Sequence, residues 1–344
     1  MSGSAARLRL SPAEHRRLSR KARRRRELTG WLFLAPFLAC FFVFLVLPVV
    51  GTVWWSTRAG SIFGGTRFIG LRNFVELPGV VGAWSSIENT LLFALYSVPA
   101  ILVGALAIAL VLARVRRGAS IYRFLVYFPV LVPGVVAALI WLFLTNVDFG
   151  LFNEVIRLFG GKPVVWLGAD NALPVLAVLD VWRNVGYWAM FFVAAIIGLP
   201  TELYQAAELD GASALARFRY LTLPLLRRII FFAIVVSTIW GLQVFDTALV
   251  LTNGGPGTAT TTVIFRVWQY VFASNNKVGF ASAISLVLIL VILALTLVQM
   301  RLLRDRRGID GDLITRCLLW FKKGRVRASS ARRRNRRLTD NFGA

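Results

Sequence analysis

The sequence predicts an all-α integral membrane protein with six transmembrane helices and with both termini in the cytoplasm. Hydrophobic residues make up 57% of the 344-residue chain, more than the roughly 45–50% of ordinary soluble domains. They fall into six runs of about 20 residues, the length of helix that crosses a bilayer. Of the 40 Lys and Arg residues, 32 lie in blocks outside these runs, which is the distribution typical of cytoplasmic segments in membrane proteins.

The net charge of +24 would also suit a protein that binds nucleic acid. The basic residues, however, form four blocks beside the apolar runs instead of one stripe on a folded surface. No helix-turn-helix, zinc or aromatic RNA-binding motif accompanies them. We therefore expect the lipid bilayer as a partner and no nucleic acid. The four blocks lie within residues 1–30, 114–123, 217–228 and 301–344.

The first apolar run predicts a span that is retained in the protein, over about residues 31–55. A secretory signal peptide would have an apolar core of only ~7–15 residues, whereas residues 31–50 alone form an apolar run of about 20 residues. It ends in Trp54 and Trp55, which suit a membrane interface. The preceding residues 1–28 form a basic cytoplasmic tail that anionic lipid would attract.

The next two spans are predicted over about residues 90–113 and 124–144. Residues 56–89 form an external loop in this arrangement, and the arginines between the two spans mark a short cytoplasmic loop. Pro129 and Pro133 lie inside the third span. Membrane helices tolerate proline where neighbouring groups satisfy the freed backbone carbonyls.

The last three spans are predicted over about residues 173–199, 229–251 and 280–300. A basic cytoplasmic tail follows at residues 305–344. Residues 29–304 therefore form a single six-span domain.

Three charged side chains lie inside the predicted spans, namely Asp180, Arg183 and Asp246. Ionisable groups within a membrane are costly unless they are paired. Asp180 and Arg183 are three residues apart on one helix and therefore share a face. We expect these two side chains to pair with each other.

The segment at residues 201–224 is polar and lies between two apolar runs. Its first half predicts a short helix that ends at Asp210 and Gly211, and Ser213 is suited to cap a second helix. The pair could instead be an amphipathic helix on the membrane surface, but that alternative leaves the Asp-Gly break unexplained. We therefore expect this segment to contact a soluble partner protein.

The same segment resembles the EAA loop, the signature of ATP-binding-cassette importer permeases. That signature runs EAAxxDGA and continues to a terminal Leu-Pro, and this chain has Gln205 where the leading Glu is common. The resemblance implies that the two short helices dock in a groove of a cytoplasmic ATPase subunit and transmit its closure to the spans. The residues implied in this coupling are Gln205, Ala206, Ala207, Glu208, Asp210, Gly211, Ala212, Phe218 and Pro224.

The chain also resembles the carbohydrate-uptake branch of that family, specifically its maltose-type first permease subunit. The matching stretches are GWLFLAP at residues 30–36 and TNGGPG at residues 252–257. This resemblance implies that the second stretch faces an extracytoplasmic solute-binding protein. The residues implied in that contact are Thr252, Asn253, Gly254, Gly255 and Pro256.

The resemblance further implies a sugar pathway beside polar and aromatic residues of the fourth and fifth spans. Polar residues within a span are candidates for function, although hydrogen bonds between helices are the alternative explanation. The candidate residues are Trp182, Asn184, Gly186 and Tyr187 in the fourth span and Gln243 and Asp246 in the fifth.

As a subunit of such an importer in the bacterial cytoplasmic membrane, the chain would form half of the pathway for a sugar and would not be an enzyme. It has no GxxxxGK[ST] phosphate-binding motif, so ATP and Mg²⁺ would be used by a separate ATPase and this chain would bind no cofactor. One His and two Cys residues do not provide a metal site of the usual ligand spacing. The implied partners are a second permease subunit in a heterodimer, two copies of the ATPase, and the solute-binding protein.

Two other functions stay open at this point. The same architecture could import another polar solute, such as a glycerol phosphodiester or a polyol. A secondary carrier driven by protons or sodium ions is the more distant alternative. Such carriers commonly have internal repeats and ion sites within the membrane, and neither feature is evident in the sequence.

Overall fold

The computed structural model describes residues 12–60, 64–79, 82–273 and 277–303, with only the backbone for residues 12–26 and 303. The chain divides into two units, Met1–Ile292 and Leu293–Ala344, and every side-chain contact given below lies within the first unit. The predicted C-terminal tail and the beginning of the N-terminal tail lie outside the described residues.

The described chain is mostly helical, which confirms the predicted fold class. π-Helical turns at Phe42–Val46 and Phe218–Thr222 join α1 to α2 and α10 to α11, and a third at Gln269–Ala273 follows α14. The helices are α1 (Pro12–Phe41), α2 (Leu47–Ser56), α3 (Arg72–Glu76), α4 (Ala83–Leu112), α5 (Ala119–Leu131), α6 (Gly134–Leu144), α7 (Leu151–Leu158), α8 (Ala172–Ile197), α9 (Thr201–Leu209), α10 (Ala214–Arg217), α11 (Leu223–Leu225), α12 (Arg227–Leu242), α13 (Asp246–Thr252), α14 (Val263–Trp268) and α15 (Val278–Leu303).

A small antiparallel ribbon follows α2 and is made of β1 (Arg58–Ala59) and β2 (Arg67–Phe68). The buried side chain of Asn73 in α3 fixes its position. Nδ2 of Asn73 donates hydrogen bonds to the carbonyl oxygens of Ser56 at 2.7 Å and of Arg58 at 2.9 Å. A buried amide with two carbonyl partners is well satisfied, so the ribbon is held against the end of α2.

Within the described part of the chain, three helical stretches are long and apolar enough to cross a membrane, namely Glu27–Ser56, Ala83–Leu112 and Val278–Leu302. Three further crossings are possible if each bent pair of helices counts as one span. The bends measure 94° between α5 and α6, 70° between α8 and α9, and 66° between the α10–α11 stretch and α12. The number of six spans and the cytoplasmic position of both termini stay predictions.

The bend between α5 and α6 has a local cause. Val132 precedes Pro133 and takes an extended conformation, with φ −77° and ψ 122°. The proline ring disfavours a helical conformation for the residue before it. The third predicted span is therefore broken where the sequence places its second proline.

The fifth predicted span, over about residues 229–251, is broken within its length. Helix α12 ends at Leu242, residues 243–245 are not helical, and α13 begins at Asp246. The helix of the second span also begins earlier than predicted, at Ala83.

The core lies largely where α4 packs along α8. Ala105 and Ala109 of α4 and Ala189 of α8 are completely buried. Small residues of this kind allow helices to approach closely within a membrane. Trp188 and Phe192 of α8 fill the space beside them.

Candidate functional site

A cavity of about 140 Å³ lies beside α8, α12 and the beginning of α13. Its shape depends on the break between α12 and α13, because residues on both sides of that break reach the same cavity. The lining residues are Ile101, Asp180, Arg183, Asn184, Trp188, Ser237, Trp240, Gly241, Gln243, Val244, Asp246 and Thr247.

The charged groups of the cavity are held by partners on α8 and α13. Nη1 of Arg183 lies 3.4 Å from Oδ2 of Asp246, at the start of α13. The carboxylate of Asp180 accepts a hydrogen bond of 2.6 Å from Nδ2 of Asn184, one turn further along α8. The predicted pair of Asp180 and Arg183 is therefore wrong, since Arg183 reaches across to another helix and Asn184 takes the place beside Asp180.

Gly134, the first residue of α6, leaves room for this ion pair. A Cβ atom at Gly134 would overlap both the carboxylate of Asp246 and the guanidinium of Arg183. The bend between α5 and α6 therefore places the backbone of Gly134, which has no side chain, against the Arg183–Asp246 ion pair. Three separate elements meet at one charged contact.

Two hydroxyl groups that line the cavity have no hydrogen-bond partner among the described residues, although both side chains are almost completely buried. Ser237 is 3% exposed and Thr247 is 1% exposed. Buried polar groups are normally satisfied by protein or by water. The hydroxyls of Ser237 and Thr247 therefore stand out as unsatisfied polar groups in the wall of this cavity.

Three of the residues predicted for a pathway line this cavity, namely Asn184, Gln243 and Asp246. Sequence reasoning missed Ser237 and Thr247. Thr247 could have been found because it is a hydroxyl residue directly after Asp246, which was already predicted for the pathway. Ser237 stands alone in an apolar helix and gave no comparable signal.

The other three predicted pathway residues lie in contacts between helices. The ring of Trp182 is 6.2 Å from that of Trp141 in α6, measured between centroids. A Cβ atom at Gly186 would overlap the carbonyl oxygen of Val126 in α5, so this glycine allows α5 and α8 to approach closely. Tyr187 belongs to an aromatic cluster between α8 and α12.

The segment at residues 201–224 forms two short helices, α9 and α10, around a tight turn. Gly211 has φ +77°, a left-handed conformation that glycine adopts without strain. Oγ of Ser213 accepts a hydrogen bond of 3.3 Å from the backbone N–H of Ala216, which confirms the predicted cap. The hydroxyls of Tyr204 and Thr222, 3.0 Å apart, tie α9 to the stretch that follows α10.

The turn between α9 and α10 presents large apolar side chains to its surroundings. Leu209 is 90% exposed and Leu215 is 74% exposed. Both leucines flank the Gly211 turn, so the residues that the structure describes leave an apolar surface uncovered there. Of the residues predicted for coupling, Gln205, Ala206, Glu208, Asp210 and Gly211 are exposed, Ala212, Phe218 and Pro224 are partly buried, and Ala207 is buried.

The loop after α13 exposes only part of its predicted contact surface. Asn253 and Pro256 are exposed, Thr252 and Gly255 are partly buried, and Gly254 is buried. Asn253 adopts a left-handed conformation with φ 49° and ends α13. The loop is therefore a folded element with an exposed tip.

Broken helices and polar groups are tolerated within a membrane where they line a cavity in the protein, and the combination is typical of membrane transport proteins. The chain belongs to the family of binding-protein-dependent transport system inner membrane components, whose profile matches residues 82–308. This confirms the resemblance to importer permeases.

Several relatives match most of this chain. The trehalose/maltose transport system permease protein MalF of Thermococcus litoralis is 35% identical over 292 residues, which are 84% of this chain and 98% of that protein. The lactose transport system permease protein LacF of Rhizobium radiobacter is 29% identical, covering 82% and 96%. The sn-glycerol-3-phosphate transport system permease protein UgpA of Yersinia enterocolitica is 34% identical, covering 79% and 92%.

The fold is also similar to that of a solved structure, a bacterial alginate ABC transporter in complex with an alginate pentasaccharide-bound periplasmic protein. The TM-score is 0.73 at 21% sequence identity, with 81% of this chain and 95% of that chain covered. The helical arrangement of the importer permease is thus shared at low sequence identity.

Proposed function

We propose that this chain is the membrane-spanning subunit of an ATP-driven importer for a neutral sugar or oligosaccharide in the bacterial cytoplasmic membrane. The observation that carries the proposal is the composition of the cavity between α8, α12 and α13. It combines the amides of Asn184 and Gln243, the hydroxyl residues Ser237 and Thr247, and the indole of Trp240. A few placed polar groups beside aromatic surface are what a site for a small polar solute requires.

Charge favours a neutral sugar over a phosphorylated solute. Recognition of phosphate relies on Arg or Lys groups that are free to form charge-assisted hydrogen bonds. In this cavity Arg183 is paired with Asp246, and Asp180 adds a second carboxylate. Relatives named for trehalose, maltose and lactose transport agree with a sugar, whereas the relative named for sn-glycerol-3-phosphate represents the alternative solute.

Coupling to a separate ATPase would take place at the α9–α10 turn. Leu209 and Leu215 are left exposed by the residues that the structure describes and would enter an apolar groove of the ATPase. The Gly211 turn and the Tyr204–Thr222 contact make the segment a compact lever. Closure of two ATPase copies on ATP and Mg²⁺ would draw the turns of two permeases together and open the cavity outward.

The remaining partners follow from the exposed edges of the site. Gln243 is exposed and Trp240 is 48% exposed in this chain, so a second permease subunit would supply the other wall of the pathway. The tip at Asn253 and Pro256 would receive the solute-binding protein. This chain would bind no cofactor of its own.

The test is reconstitution of the full complex in proteoliposomes, followed by uptake of radiolabelled maltose, trehalose, lactose and sn-glycerol-3-phosphate. We expect accumulation of at least one disaccharide, dependent on ATP inside the vesicles and on the solute-binding protein outside. The matched control carries Lys→Ala in the phosphate-binding loop of the ATPase and should accumulate nothing. Uptake that persists without ATP would instead identify an ion-driven carrier, and uptake of glycerol phosphate alone would contradict the proposed substrate class.

A further inference from the structure

The carbonyl of Val244, in the break between α12 and α13, lies outside the hydrogen bonds of both helices. The first hydrogen bond of α13 runs from the N–H of Leu249 to the carbonyl of Phe245. The carbonyl of Val244 lies one residue before that bond, and Val244 is only 8% exposed. A buried carbonyl without a partner is costly, so the break requires a donor from elsewhere.

Thr262 supplies that donor from beyond the following loop. Its Oγ1 donates a hydrogen bond of 3.0 Å to the carbonyl oxygen of Val244, 18 residues away along the chain. Oγ1 of Thr262 also accepts a hydrogen bond of 3.4 Å from the N–H of Phe265 and so caps α14. Thr262 is completely buried, so water does not compete with either contact.

The loop that carries Thr262 is itself fixed at several points. The hydroxyls of Thr260 and Thr261 donate to the carbonyls of Gly255 at 2.8 Å and Gly254 at 2.9 Å. The N–H of Val263, next to Thr262, donates to Oγ1 of Thr90 in α4 at 2.9 Å. The loop is therefore a rigid support anchored on α4, and Thr262 is its link to the break.

We propose that Thr262 is a positioning residue for the transport path. By holding the carbonyl of Val244, its hydroxyl fixes the non-helical turn that brings Gln243, Asp246 and Thr247 to the cavity. This bond connects the polar cavity to the loop that has its tip at Asn253 and Pro256. The loop and the cavity wall should therefore move together as one unit. The inference that this unit serves transport rests on the proposed function, whereas the positioning itself does not.

The test measures how often the break opens. Thr247, 1% exposed beside the break, is replaced by Cys in a background carrying Cys40→Ser and Cys317→Ser, and its labelling by a small methanethiosulfonate reagent is timed in the full complex in membranes. Removing the donor with Thr262→Val should raise the labelling rate about tenfold, since an unsatisfied buried carbonyl favours local opening. Thr262→Ala should act in the same direction.

Two matched variants separate the hydroxyl from other effects. Thr262→Ser keeps the donor and should stay within about twofold of the parent rate, as should Thr258→Val, the same change at an exposed position of the same loop. An unchanged rate in Thr262→Val, or a rise in Thr262→Ser as large as in Thr262→Val, would overturn the proposal. Because labelling needs no transported solute, failure of this test is distinct from failure of the uptake experiment.

Discussion

The α9–α10 turn and the polar cavity differ in what holds them in shape. The turn is set by neighbouring residues, through the left-handed Gly211 and the Ser213 cap. The cavity depends on contacts between distant residues, such as Arg183 with Asp246, 63 positions apart. Neighbouring residues are therefore enough to fix the conformation of the turn, although its two leucines need a partner to cover them. The cavity instead depends on the tertiary fold. Substitutions in the first should impair coupling alone, and substitutions in the second should impair folding and transport together.

The largest effect is expected from Gly211→Pro. Proline cannot adopt the φ of +77° at this position and removes the N–H that donates to the carbonyl of Glu208 at 3.0 Å. We expect ATP-driven uptake to fall to the level of the ATP-free control while the amount of protein in the membrane is unchanged. Asp210→Arg, at the same turn, should also separate ATP hydrolysis from transport.

The chain offers a closely matched control for Gly211→Pro. Gly160 follows α7 with φ +75°, is exposed, and donates its N–H to the carbonyl of Arg157 at 2.9 Å. Gly160→Pro therefore breaks the same kind of turn in a different loop. Equal loss of uptake in both variants would show that the effect comes from a disrupted turn in general and not from coupling.

The same contrast explains what the sequence could predict. Gly211 and Ser213 act on their immediate neighbours, so residue type alone predicted the turn and its cap. The break at residues 243–245 contains neither Gly nor Pro, and its carbonyl is satisfied by Thr262 from another element. Likewise, Arg183 had a plausible local partner in Asp180, and only the fold shows that it reaches Asp246. Features that depend on partners far away in the sequence could not be predicted from the local sequence pattern.

The Arg183–Asp246 pair is expected to give the next largest effect. Removing one partner of a buried pair costs ~3–5 kcal/mol. These side chains are 23% and 42% exposed, so we expect a smaller loss of about 1–3 kcal/mol from Arg183→Asp or Asp246→Arg. The double swap should recover part of the stability that each single variant loses, because it restores the ion pair but leaves two carboxylates one turn apart on α8; thermal unfolding of the purified complex in detergent measures this.

Uptake measured for the double swap of Arg183 and Asp246 separates a structural role of the pair from a direct role in transport. If the pair only holds α8 against α13, the double variant should recover uptake to the same extent as it recovers stability. The surface pair of Arg72 and Glu76, four residues apart on α3, is the control, and its swap should change stability by about 0.5 kcal/mol or less. Stability that is not recovered in the double variant of Arg183 and Asp246 would contradict the pairing.

Gly134→Ala should have an intermediate effect. Its Cβ would overlap the ends of the Arg183 and Asp246 side chains, and these can rotate away at the cost of their ion pair. We therefore expect a loss of roughly 1 kcal/mol, the scale of a charge-assisted hydrogen bond, with partial loss of uptake. Gly51→Ala is the matched control, because nothing lies within 4 Å of a Cβ at that helical position. An unaffected Gly134→Ala variant would mean that the pair does not need the bare backbone of α6.

The smallest effect is expected at the Glu208–Arg217 ion pair, which spans the α9–α10 turn. Nη1 of Arg217 lies 3.0 Å from Oε2 of Glu208, whose side chain is 70% exposed. Exposed ion pairs contribute about 0.2–1 kcal/mol, and the turn already has its shape from Gly211. Glu208→Gln should therefore retain uptake within about twofold of the parent and lose little more at high salt. A loss of uptake comparable with that of Gly211→Pro, with ATP hydrolysis intact, would show that the carboxylate of Glu208 contacts the ATPase directly and that the shape of the turn is not sufficient for coupling.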